Sequence, residues 1–219
     1  MNTFSLYESW RVLANKYTVS DIYLPQANLI FLLESPHVSE LKYQAPVSGA
    51  SGITMTRHLF GESYARYPLG ILIKTNVLEH RNRPTLNRIG LMNVCNIPMQ
   101  GTAYGSRDVV ETHAELIRVL QGIRSANQKD VYPISLWNEV QSYLLDNLRD
   151  RLFQFVDRSM TFVPCGRFAQ KFFRLAAVES PKWTVVHDVP HPSYNSWDRP
   201  QYRPVVEQVQ RALGYSGES

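Results

Sequence analysis

The segment "HPSYNSW", His191 to Trp197, follows the apolar run "KWTVVHDV" and holds its histidine between Pro190 and Pro192. Each proline fixes its own φ and drives the residue before it toward extended backbone, so the imidazole starts with little freedom to lose. Such a ring can offer one nitrogen to a charge that develops during a reaction, or it can be the surface histidine of a stiff turn. Ser193 adds a hydroxyl and a backbone N–H, both suited to phosphate contact. A second cluster, "LLESPHVSE", places Glu34, Ser35 and His37 within four residues. A carboxylate there can orient a water or act as a base, or the cluster can close a loop and cap a helix. In "VSGASG", Ser48, Gly49, Ser51 and Gly52 form a small-residue loop that lets a ligand or another backbone approach closely. Asn93 interrupts the apolar "LMNVCN". A buried asparagine amide must be satisfied by a network or by a ligand, and it can pair with the edge of a base.

Hydrophobic patterning says what positions these groups. Four short apolar runs, "NLIFLLE", "IGLMNVC", "SMTFVPC" and "KWTVVHDV", read as strands. The first, second and fourth are nearly continuous, as expected of parallel strands covered on both faces. Helical patterns fall between them: "SGITMTRHLFG", a run from the N-cap candidate Ser106 to Ile123, one from Ser135, "RFAQKFFRLAA" from Arg167, and a last one opening at Pro204. Alternating strands and helices predict a three-layer α/β/α fold around a mostly parallel four-stranded sheet, in one domain spanning residues 1–219. Four polar clusters, "ESPHVSE", "NIPMQGTAYGS", "GRFAQ" and "PHPSYNSW", each follow the carboxyl end of one strand. In an open parallel sheet those ends form one edge, where ligands bind. Residues scattered from Glu34 to Trp197 are therefore expected to converge on a single cleft.

Taken in order, the motifs resemble the uracil-DNA glycosylase superfamily. Its first motif, of the type G-Q-D-P-Y-H, G-E-A-P-G or G-x-N-P-G, corresponds to "LESPH", its strand asparagine to "GLMNVCN", its G-x-x-A-Q-K to "CGRFAQK", and its H-P-S to His191–Ser193. The likeness spans roughly Asn28 to Trp197, and "VSGASGITMTRHL" is closest in style to the G-E-A-P-G type, without that type's iron–sulfur cysteines. The resemblance implies hydrolysis of the N-glycosidic bond of a base flipped out of DNA, uracil or a deaminated purine, with no cofactor. His191 would donate a hydrogen bond to the developing charge on the base, and Asn93 would read the base edge. Ser35 would stand where many members carry the water-activating Asp or Asn, and Glu34 where the G-E-A-P-G type has its Glu. Serine being a poor base, Glu34 or nearby His37 would have to activate the water. Val47 stands where an aromatic usually stacks on the base, with Tyr43 as a substitute. The small-residue loop, Gly166 and Ser193 would grip phosphates, while Tyr194, Asn195 and Trp197 would fill the gap left in the DNA.

The chain of 219 residues carries a formal charge of +4, which permits a polyanionic partner without demanding one. The expected partner is DNA, single-stranded or duplex, carrying a damaged base. Two cysteines are too few for a disulfide framework, a structural zinc site or a cluster. No apolar stretch reaches the roughly 18 residues of a membrane helix, and the N-terminus lacks the pattern of a signal peptide. The expectation is a cytoplasmic protein, nucleoid-associated if bacterial. Two other classes fit the same residues: a catalytically silent relative that binds nucleic acid or a modified base, and a small-molecule α/β enzyme acting on nucleosides or nucleotides.

Overall fold

The computed structural model describes residues 5–214. Strands β1 (Leu29–Leu33), β2 (Ile89–Asn93), β3 (Met160–Pro164) and β4 (Trp183–Val185) form one all-parallel sheet in the order β2-β1-β3-β4. The helices are α1 (Leu6–Tyr17), α2 (Val38–Tyr43), α3 (Ala50–Phe60), α4 (Leu69–Leu78) and α5 (Pro84–Asn87). They continue as α6 (Arg107–Thr112), α7 (Ala114–Ser125), α8 (Ser135–Phe153), α9 (Gly166–Ala176) and α10 (Arg203–Ala212).

β1 shows why the molecule has helices on both faces of the sheet. All five of its residues are buried, and successive side chains point to opposite faces. Ile30 and Leu32 join the core built with α1, α7, α8 and α9. Leu29, Phe31 and Leu33 join the core built with α3, α4, α5 and α10. The helices supply matching stripes: Leu116, Leu120 and Ile123 of α7, and Phe168, Phe172 and Ala176 of α9, recur at helical spacing and are buried. A capping box between Ser5 and Glu8 starts α1, the Ser5 N–H donating to Glu8 Oε2 at 2.9 Å.

Three features depart from the sequence expectations. The fourth apolar run is an edge strand of three residues with Thr184 exposed, so it is covered neither on its outer edge nor on both faces. The helix read from Ser106 breaks at His113, whose buried ring turns inward to meet Ser9 Oγ at 3.1 Å. Helices α4 and α5 fill a stretch in which no helix was expected. Both cysteines are free and buried, and burial pushes the Cys95 thiol up to about 12. Among the described residues, no helix is long and apolar enough to cross a membrane.

Lys171 is buried in the first core, its ammonium donating to Tyr132 Oη at 2.7 Å and Gln141 Oε1 at 2.6 Å. Burial pushes its pKa down to about 8. Between about pH 8 and the unfolded value of 10.5, the unfolded chain holds this proton and the folded chain does not. Stability from this group therefore rises with pH across that window. Urea titrations at both ends should show the wild type gaining stability relative to Lys171→Met as the pH is raised.

Candidate active site

The carboxyl ends of the strands meet because β1 lies between β2 and β3. Glu34 follows β1 directly, Asn93 ends β2 opposite Leu33, and Gly166 stands just beyond β3. The segment after β4 returns His191 to the same rim, where the Gly166 N–H donates to Val189 O at 2.8 Å. Glu34, Ser35, His37, Val47, Asn93 and His191 line one cavity of about 310 Å³. Distant parts of the chain thus converge as the strand-end pattern predicts.

His191 is fixed from three sides. Its Nδ1 accepts the Ser193 backbone N–H at 3.2 Å and lies 2.8 Å from Ser193 Oγ. A nitrogen that accepts from an amide cannot carry the proton of a neutral ring, so the hydrogen-bond pattern assigns that proton to Nε2. Burial, and then the positive charge of Arg124, push the imidazole pKa down to about 4. The ring is therefore neutral at physiological pH, with Nε2–H as its donor. Gly166 packs beneath it with φ +84°, and a Cβ there would stand 2.7 Å from His191 Cβ. Gly166→Ala should lower stability by about 1–2 kcal/mol from backbone strain alone and displace the imidazole, which denaturant titration and activity assays would read separately.

Asn93 is the anomaly of the cavity. It is 0% exposed, and neither its Oδ1 nor its Nδ2 has a hydrogen-bond partner among the described residues. Leaving one such group unmade costs about 1–3 kcal/mol. The backbone around it is anything but loose. Arg151 Nη1 donates to Asn93 O at 2.7 Å and to both oxygens of Asp21, and Nη2 donates to Val94 O at 2.7 Å. A larger depression of about 690 Å³ lies along β4 and α9. The smaller cavity is the better site because the only unpaired buried side-chain amide among the described residues faces it.

Two acids line the cavity. Glu34 Oε1 accepts from Arg124 Nε, an ion pair reaching across from the last turn of α7. Burial raises the Glu34 pKa, and Arg124 opposes the rise. Glu40 is the other acid, and no motif pointed to it. Its Oε2 accepts the His37 N–H and its Oε1 the Val47 N–H, both at 2.7 Å. Burial raises its pKa to about 7, with the Glu34 charge adding to the rise. By this clamp Glu40 holds Val47 against the cavity at φ 47°, a left-handed conformation rare for a β-branched residue. The sequence reading missed Glu40 and Arg124, although Glu40 three residues after His37 is the spacing by which an acid caps a helix.

Not every expected residue arrives. Gly49 and Ser51 line the cavity. Ser48 is buried and spends its hydroxyl on Ala45 O, so it is not free to grip a phosphate. Gly52 admits backbone rather than ligand: a Cβ there would sit 1.7 Å from Val47 O. Tyr43, 42% exposed at the end of α2, is not among the cavity's walls and does not substitute for a stacking aromatic. Trp197 is 2% exposed and donates from Nε1 to Pro190 O at 2.9 Å, so it supports the loop from the core and cannot enter DNA. Ser193 spends its hydroxyl on His191 rather than on solvent. Tyr194 and Asn195 stand exposed at the tip with φ 54° and 50°, and Tyr194 also borders the cavity. Among the described residues, no cluster of three or more His, Cys, Asp or Glu is arranged to hold a metal ion. No protein-family model matches the chain, and no curated protein matches it.

Proposed function

We propose that the protein is a DNA N-glycosylase of the uracil-DNA glycosylase type, releasing uracil or a deaminated purine that has been flipped out of the DNA stack. One observation carries the proposal. The unpaired amide of buried Asn93 and the neutral imidazole of His191 line the same cavity at the sheet rim. An amide offers one donor and one acceptor, the complement of a base edge, and its present lack of partners is what a ligand would relieve.

The steps follow from the groups at hand. Flipping costs a few kcal/mol and brings the base into the cavity. Asn93 pairs with its edge while Val47 covers it. The C1′–N bond then breaks with both electrons staying on the base, leaving an oxocarbenium-like sugar. His191 donates from Nε2 to the charge growing on the base oxygen, with no reorganisation because Ser193 and Gly166 already fix the ring. Water adds to C1′, and its proton passes first to the cavity carboxylates, Glu34 or Glu40, and finally to the departed base. Ser35 sits beside them as a polar wall, since a serine hydroxyl is a poor base. The exposed Tyr194 and Asn195 would fill the gap that the flipped nucleotide leaves in the DNA.

The test is direct. Single-stranded and duplex oligonucleotides carrying uracil, hypoxanthine or xanthine are incubated with the protein and then treated with alkali. Strand breaks at the marked base are expected on at least one of them. Intact strands throughout, with salt-dependent binding retained, would instead select a silent binder.

A further inference from the structure

Arg124 stands at the junction of two hollows. It lines the cavity that holds Asn93, and also an adjoining one of about 540 Å³ that shares Glu34, His191 and Ser193 with it. Its Nε is committed to Glu34, which fixes the plane of the guanidinium. Nη1 and Nη2 take no hydrogen bond among the described residues. The group is close enough to His191 for its charge to act on the ring. An arginine tethered by one edge, with its other donors free beside a neutral N–H donor, is the arrangement that receives a planar anion.

Resting on the glycosylase reading, we propose that Arg124 is a second electrostatic donor to the departing base, acting with His191 on the negative charge that the base carries away. The charge balance favours this role. The bond electrons leave with the base, and His191 stays neutral and gives no proton. Arg124 is the one arginine or lysine among the described residues lining the cavity that holds Asn93, so it is the side chain placed there to set a positive charge beside the anion. Glu34 then has two duties: to aim the guanidinium and to face the attacking water.

The experiment compares single-turnover release of uracil, 5-fluorouracil, hypoxanthine and xanthine by the wild type, Arg124→Met and Glu34→Gln. A donor to the leaving group matters most where the base is a poor anion. Arg124→Met should therefore slow uracil release by about a hundredfold and 5-fluorouracil, the more acidic base, clearly less, with DNA affinity unchanged. Arg124→Lys should recover part of the loss. Glu34→Gln breaks the same ion pair but keeps the cation, so it should slow all bases by a similar factor. Equal losses across bases in Arg124→Met, or none, would overturn the inference while an active wild type leaves the glycosylase reading standing. A wild type that releases none of the four bases removes both.

Discussion

Changing His191 to alanine is expected to lower single-turnover base release by about two to three decades, the scale of one preorganised donor to a developing oxyanion. DNA affinity should change little, because the lost hydrogen bond strengthens only as charge builds on the base. Thermal unfolding of the variant would show that the protein remains folded. The pH profile adds a second signature. The imidazole titrates near 4 rather than 6.5, so this group should leave the rate flat through neutral pH and cut it only as the pH falls through about 4. A proton arriving at Nδ1 would meet the Ser193 N–H. Stability follows the same group. Between about 6.5 and 4 the unfolded chain binds a proton that the folded ring refuses. Native stability therefore falls across that window, and His191→Ala should fall less. A rate that drops instead near pH 6.5 would contradict the neutral-donor role.

Asn93→Leu should separate function from stability in opposite directions. Removing the amide leaves two groups on the base edge unpaired, each costing about 1–3 kcal/mol, so release should fall by on the order of two to four decades. In the free protein the same change removes two buried polar atoms that have no partners. Leucine is of similar size and apolar, and the variant should be more stable by about 1–3 kcal/mol in denaturant titrations. A gain in stability with a collapse of activity marks a residue kept for its ligand. A variant less stable than the wild type would mean that the amide has a structural partner after all.

The sheet was legible in the sequence because a strand buried on both faces has to be apolar nearly throughout, as β1 is and as β2 is up to its last residue. The rim was legible for the same reason: polar residues after such runs have nowhere else to lie. Asn93 and His191 stood out because each breaks its local pattern, a polar side chain in an apolar strand and a ring between prolines. Arg124 had no such contrast. It looks like any basic residue in the last turn of an amphipathic helix, and only the packing of α7 brings it to Glu34. Glu40 was hidden in another way, since its two backbone partners lie three residues before it and seven after it in a loop without periodicity. Trp197 and Ser48 misled because their types suit a wedge and a phosphate clamp. Burial decided otherwise, and burial of a single side chain in a loop leaves no mark on the sequence around it.

The guanidinium of Arg151 has a consequence for anyone surveying variants. It ties the end of β2 to Asp21, a residue from the loop before β1, holding Asn93 by its backbone while neither Arg151 nor Asp21 lines the cavity. On the proposed reading, discrimination among bases would rest partly on a knot behind the strand, because Arg151 holds the backbone of Asn93. A mutational survey chosen by distance from the bound base would overlook Asp21 and Arg151, whereas random mutagenesis scored for relaxed base choice should find them.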